Sequence, residues 1–94
     1  MRVISRKRLK QFAAAHVDAE PALDTWYRVA HSADWASIDD VRKTFPHADF
    51  VDPYTVFNVK GNKYRLIVVI RYPYRTIFVK SVMTHAEYDK GKWR

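Results

Sequence analysis

The chain has 94 residues, with 17 Lys+Arg against 10 Asp+Glu, a formal net charge of +7, two glycines and no cysteine. This excludes disulfides, thiol nucleophiles, cysteine–zinc sites and iron–sulfur clusters, and the length gives one core of roughly 12 Å radius of gyration with no separate cofactor domain. Hydrophobic residues at 48% and aromatics at 15% exclude a disordered tail, and neither G-x-G-x-x-G nor G-x-x-x-x-G-K occurs to cradle a nucleotide.

Arg2–Ile4 predicts a short strand, and Ser5 caps a helix whose stripe is Leu9, Phe12, Ala13, His16 and Val17. Pro21 marks the first turn of a second helix, with Asp18 or Glu20 preceding it as cap and Leu23, Trp26, Tyr27 and Ala30 as its apolar face. Ser37-Ile38-Asp39-Asp40 reads as a capping pattern that opens a short third helix ending near Phe45-Pro46. After Pro53 the period changes to two. Thr55–Val59, Lys63–Tyr72 and Arg75–Met83 predict three strands joined by turns at Lys60-Gly61-Asn62 and Pro73-Tyr74. The expected class is α+β: N-terminal helices packed on one face of a small, mainly antiparallel sheet, with Arg2–Ile4 at an edge. The longest apolar run, Leu66–Ile70, is far below the roughly 20 residues of a membrane span. A soluble, cytoplasmic single domain over residues 1–94 is expected, with no membrane partner.

Charge is segregated. Residues 1–15 carry five basic and no acidic side chains, residues 16–52 three and eight, and residues 53–94 nine and two. Positive charge concentrated in the C-terminal half attracts phosphate backbones through counterion release, although a solvated basic face is an ordinary alternative. In the long strand, Tyr64, Leu66, Val68, Ile70 and Tyr72 share the face expected under the helices. Lys63, Arg65, Ile67, Val69 and Arg71 share the other, with cations at both ends of an apolar centre. Pairing across Pro73-Tyr74 sets opposite one another residues whose numbers sum to about 147. This puts Arg65 opposite Val82 and Lys63 opposite Thr84, beside His85. Trp26, Tyr27, Trp35 and His16 read as core, and His31 and His47 as surface.

The run Val56-Phe57-Asn58-Val59-Lys60-Gly61-Asn62-Lys63-Tyr64-Arg65-Leu66-Ile67, followed by Val82-Met83-Thr84-His85-Ala86-Glu87-Tyr88-Asp89, resembles the HigB-type toxins of bacterial toxin–antitoxin modules. Their pattern is V-F-N-I-x-G-N-x-Y-R-L-I and then V-x-T-H-x-E-Y-D. The likeness extends over essentially the whole chain, with departures at Lys60 and in the length of the Asp52-Pro53-Tyr54 approach. The resemblance implies a RelE-like fold and a messenger-RNA endonuclease that commonly acts at the ribosome. It also implies silencing by a helix-turn-helix antitoxin of HigA type, with DNA met only through that complex.

The four histidines form no H-x-x-x-H pair, so the expected chemistry uses no metal and no cofactor. Such RNA cleavage takes the substrate's own 2′-hydroxyl as nucleophile and needs proton transfer and cations for the phosphorane. Arg65 is expected to clamp phosphate. His85, at a strand end where related enzymes carry a catalytic basic residue, is expected to move a proton. Lys63 joins them as a cation, and with a lowered pKa either Lys60 or Lys63 serves as a base. Tyr88, three residues after His85, stacks on a base or orients phosphate. Lys60, Arg71, Lys80 and Asn62 are expected along the RNA path, with Asn62 also supplying a positive-φ turn position. Readings that remain beside this one are a ribosome-independent ribonuclease of the same fold and a non-catalytic RNA- or gyrase-binding module.

Overall fold

The structure, a computed structural model, describes residues 1–94. The elements in chain order are β1 (Arg2–Ile4), α1 (Arg6–Ala15), α2 (Glu20–Ser32), α3 (Ile38–Thr44), β2 (Asp49–Val51), β3 (Tyr54–Val59), β4 (Tyr64–Arg71), β5 (Thr76–Thr84) and α4 (His85–Asp89), with 3₁₀ turns at Val17–Ala19 and Tyr72–Tyr74. The five strands form one sheet in the order β1-β5-β4-β3-β2, antiparallel except for β1 beside β5. The chain is therefore α+β as expected, and its Cα radius of gyration is 12.2 Å.

Local signals account for most boundaries. The Ser5 hydroxyl accepts from the Lys7 amide at 3.1 Å and starts α1. That helix stops at Ala15, so Val17 leaves the expected apolar stripe and is 72% exposed. Pro21 sits in the first turn of α2, but Ala19 occupies the cap position with no side-chain bond; Asp18 is drawn to the sheet instead. At α3 the Ser37 side chain makes no cap bond, and the Asp40 carboxylate accepts from the Ala36 amide at 2.9 Å in its place. Strand β2 is an addition to the predicted meander. It is three residues long, with an acidic first residue and Phe50 exposed, so it carries no two-residue alternation to detect.

The β4–β5 register also departs from expectation. Val68 lies opposite Val79 and Arg71 opposite Thr76, as predicted, but Ile67 lies opposite Ser81. Lys80 is the extra residue of a bulge. Beyond it the pairing moves by one, so Arg65 faces Met83 and Tyr64 faces Thr84.

The core lies between the helices and the sheet face carrying Tyr64, Leu66, Val68 and Ile70. Phe57 is 1% exposed and anchors an aromatic cluster, with ring centroids 5.4 Å from Trp26, 5.2 Å from Phe45 and 6.5 Å from Trp35. Phe57→Ala is expected to destabilise the fold by about 3–5 kcal/mol, read as a lower urea midpoint with an unchanged slope. On the outer face Val56, Ile67 and Trp93 form a second, small cluster joined by Val51, Tyr54, Met83 and Tyr88. The expected open basic face is thus covered at one end, because the C-terminal segment folds back across it.

Candidate active site

The turn between β3 and β4 is built on two left-handed residues, Lys60 at φ 52° and Gly61 at φ 62°. The positive-φ role expected of Asn62 belongs to these two. Asn62 instead serves Arg65: the Arg65 guanidinium donates from Nη2 to the Asn62 amide oxygen at 2.6 Å and from Nη1 to the Asn62 carbonyl at 3.1 Å and the Tyr64 carbonyl at 3.2 Å. Three of its five N–H donors are engaged in the turn, which leaves two for a ligand. Arg65 is 8% exposed, and its guanidinium carbon sits 5.6 Å from the centroid of the Tyr88 ring.

Tyr88 is held by the segment that follows it. Gly91, at φ 73°, lets the chain turn back, and its amide donates to the Tyr88 carbonyl. The Trp93 indole stacks on the Tyr88 ring at 4.8 Å and 14° and donates from Nε1 to the same carbonyl at 2.9 Å. The order is Trp93 on Tyr88 on Arg65.

His85 begins α4. A capping box sets that helix, with the Thr84 hydroxyl accepting from the Glu87 amide and the Glu87 carboxylate accepting from the Thr84 amide. Those two bonds to Thr84 hold the Glu87 carboxyl below the usual carboxylate range, which fits it as an acceptor in a cap. The His85 amide donates to the Lys63 carbonyl at 3.0 Å, tying α4 to the β3–β4 turn. The imidazole Nδ1 lies 2.8 Å from the Asp89 carboxylate one helical turn on. A carboxylate only accepts, so Nδ1 carries the proton and Nε2 is left for exchange with a ligand. Asp89 lies within the quoted motif, but its role as the partner that orients His85 becomes visible only when residues 85–89 are known to be helical.

The lysines of the turn point elsewhere. Lys63 pairs with Asp18, and the Lys60 ammonium is 3.8 Å from the same carboxylate. The Tyr64 hydroxyl donates to its other oxygen at 2.6 Å. The Lys63 and Tyr64 bonds, in that order, hold the Asp18 carboxyl at about 2. The Asp18 bond likewise raises Lys63, so Lys63 is a fixed cation and not the neutral base entertained from sequence. Tyr64 faces the helices, so the Lys63 ammonium is on that side while the Arg65 guanidinium is on the outer face. The cluster of Lys63, Arg65 and His85 inferred from register is joined through the Lys63 backbone and not through its ammonium. His16 stacks on Phe12 at 4.1 Å and meets the Tyr64 ring edge at 5.5 Å, a packing role as expected.

A carboxyl depressed to about 2 stabilises the fold above its unfolded value of about 3.8, and that contribution disappears as pH falls from roughly 4 through 2. Asp18→Asn is therefore expected to flatten the acid limb of stability in that window and leave its shape at pH 6–8 unchanged, measured as urea midpoints against pH.

Arg71 is exposed at the far end of β4, and the Lys80 ammonium lies 5.1 Å from the centroid of the Tyr54 ring. No three His, Asp or Glu side chains gather as metal ligands. A concavity of about 610 Å³ between α1 and α2 is lined by Leu9, Ala13, Leu23 and Tyr27 among others and by none of the candidate residues. No helix is long and apolar enough to cross a membrane.

Residues 19–91 match the family model described as HigB_toxin, the RelE-like toxic component of a toxin–antitoxin system. The chain is 32% identical over 93 residues to the mRNA interferase HigB of Escherichia coli O6:H1, covering 96% of this chain and 90% of that protein. It is 27% identical over 92 residues to the mRNA interferase toxin HigB of Escherichia coli K12, covering 95% and 88%. The same identity and coverage hold for the mRNA interferase HigB of Shigella flexneri.

Proposed function

The chain belongs to the HigB toxin family, the RelE-like toxic components of toxin–antitoxin systems, and from that premise we propose that it is an mRNA interferase. It cleaves messages at the ribosome and so halts translation and growth. The observation that carries this reading is the placement of two groups at one end of the sheet. One is a guanidinium with two uncommitted donors, Arg65; the other is an imidazole oriented by a carboxylate, His85, whose own amide is bonded to the arginine's turn.

The substrate's 2′-oxygen attacks the adjacent phosphorus and loses its proton; the P–O5′ bond breaks and the 5′-oxygen gains one. The products are a 2′,3′-cyclic phosphate and a 5′-hydroxyl. His85 moves a proton at Nε2. Arg65 meets the charge that grows on the phosphorane oxygens. Tyr88 keeps the guanidinium in plane and gives its ring edge to the RNA. Arg71 and Lys80 neutralise the backbone, with Asn62 acting through Arg65, while Lys60 and Lys63, paired with Asp18, add only their long-range positive field. No step requires a metal or cofactor. The physiological partners are messenger RNA, the ribosome and a helix-turn-helix antitoxin of HigA type with an acidic surface, and the setting is the cytoplasm.

The test is cleavage of a defined message by the purified protein, with and without programmed ribosomes, and with the neighbouring gene product added. Cleavage that needs ribosomes and stops on addition of the partner is expected. Cleavage of free RNA at the same rate would replace the ribosome-dependent reading with the ribosome-independent one, and intact message in every arm would end the nuclease reading.

A further inference from the structure

The C-terminal segment covers only part of the outer face. Towards the Tyr72–Tyr74 turn the face remains open, and Phe78 stands in it at 42% exposure. Its neighbours in sequence, Ile77 and Val79, are buried in the core under the helices, so alternation sends the Phe78 ring outward. In register it lies between Ile4 on β1 and Val69 on β4. All three are outside both apolar clusters.

The charges around this stripe have one sign. Arg2 and Arg71 share its face one pleat nearer the turn, both flanking Thr76 in register, and Lys80 lies at the bulge beyond it. None of these three cations has a carboxylate partner within ion-pair distance. Among strand residues of this face the one acidic side chain is Asp49, on the opposite edge strand β2. An exposed aromatic ring framed by unpaired cations suits an unstacked base with a phosphate on either side.

We propose that Phe78 is a stacking platform for one unpaired base of the RNA, with Arg2, Arg71 and Lys80 holding the flanking phosphates. The site supplies binding and not chemistry. Val69, its register partner, is four residues along β4 from Arg65, roughly 13 Å at strand rise, so the stacked base lies outside the reacting phosphate's own contacts. This inference rests on the RNA-cleaving reading above and adds a determinant of where the strand lies.

The experiment uses the full chain, with binding to a ten-residue oligouridine and its abasic ribose-phosphate counterpart, and with single-turnover cleavage of a message on programmed ribosomes measured in parallel. Phe78→Ala is expected to weaken oligouridine binding by roughly 5- to 150-fold, to leave abasic binding and the salt slope unchanged, and to leave the cleavage rate at saturating RNA unchanged. Phe78→Trp is expected to bind as wild type and to show fluorescence quenching by oligouridine beyond that of wild type. Phe78→Leu keeps bulk without a π face and should bind like the alanine variant, which separates stacking from any loss of fold. Arg71→Ala should instead reduce the log–log salt slope by about 0.7. A wild type that cleaves, with equal oligouridine affinity in Phe78→Ala and Phe78→Leu, overturns this inference and leaves the nuclease reading standing. A wild type that neither binds oligouridine nor cleaves the ribosome-bound message overturns both. Unchanged RNA binding with lost copurification of the neighbouring gene product would assign Phe78 to a protein partner and overturn the inference.

Discussion

Replacing His85 by alanine is expected to lower single-turnover cleavage by about 10²–10⁴-fold while the protein folds and still binds RNA. The structure explains why the substitution isolates the imidazole. The bond that ties α4 to the β3–β4 turn comes from the His85 backbone amide, and the capping box that starts the helix belongs to Thr84 and Glu87. Both survive an alanine. What is lost is a half-exposed ring whose Nδ1 is held by Asp89 and whose Nε2 is free. Asp89→Asn keeps an oxygen for Nδ1 but makes a weaker acceptor of it, so the ring is oriented less firmly and a smaller loss, about tenfold, is expected. Cleavage of ribosome-bound message, with circular dichroism as the folding check, measures both. A folded His85→Ala protein at full rate would remove His85 from the chemistry.

Arg65→Ala is expected to cost about 10²–10³-fold in rate, and here the structure changes the form of the expectation. The sequence presents Arg65 as a cation on an open face, whose loss would spare the fold. In the fold it is 8% exposed and supplies three bonds to the turn. Its removal leaves the Asn62 and Tyr64 carbonyls without those donors, so a stability loss of about 1–3 kcal/mol should accompany the rate loss. Arg65→Lys separates the two effects. It keeps the charge but not the planar fork, and should restore part of the stability and little of the rate. Urea midpoints and single-turnover rates for both variants check this, and wild-type cleavage in Arg65→Ala would exclude the phosphate clamp.

The contrast between these two residues indicates what a sequence exposes. The change of period after Pro53 places the meander, and the alternation of Tyr64, Leu66, Val68 and Ile70 identifies the face under the helices, because those patterns are local and repeat. The motif residues from Asn62 to Arg65 and from Thr84 to Asp89 identify the family for the same reason. The bulge at Lys80 escapes such a reading, since alternation is intact on both sides of one extra residue and only the pairing reveals it. Its effect is to move Arg65 from Val82 to Met83. Asp18 was legible only as a helix cap, because its ties to Lys63 and Tyr64 cross 45 and 46 residues. Lys63 precedes β4, where strand alternation no longer dictates a side chain's direction. Trp93 follows a five-residue helix and a glycine, with no periodic neighbour to place it, yet it fixes the ring on which Arg65 rests.

The central claim is that the Arg65–His85 end of the sheet cuts messages in the cell. Sequencing of RNA 5′ ends minutes after induction tests it most directly, with chemistry that distinguishes 5′-hydroxyl from 5′-phosphate ends and with His85→Ala induced in parallel. The predicted result is a set of new 5′-hydroxyl ends inside coding sequences in the wild type, absent from the His85→Ala strain at equal protein level. Growth arrest by the wild type with no new ends, or the same ends in both strains, would contradict it.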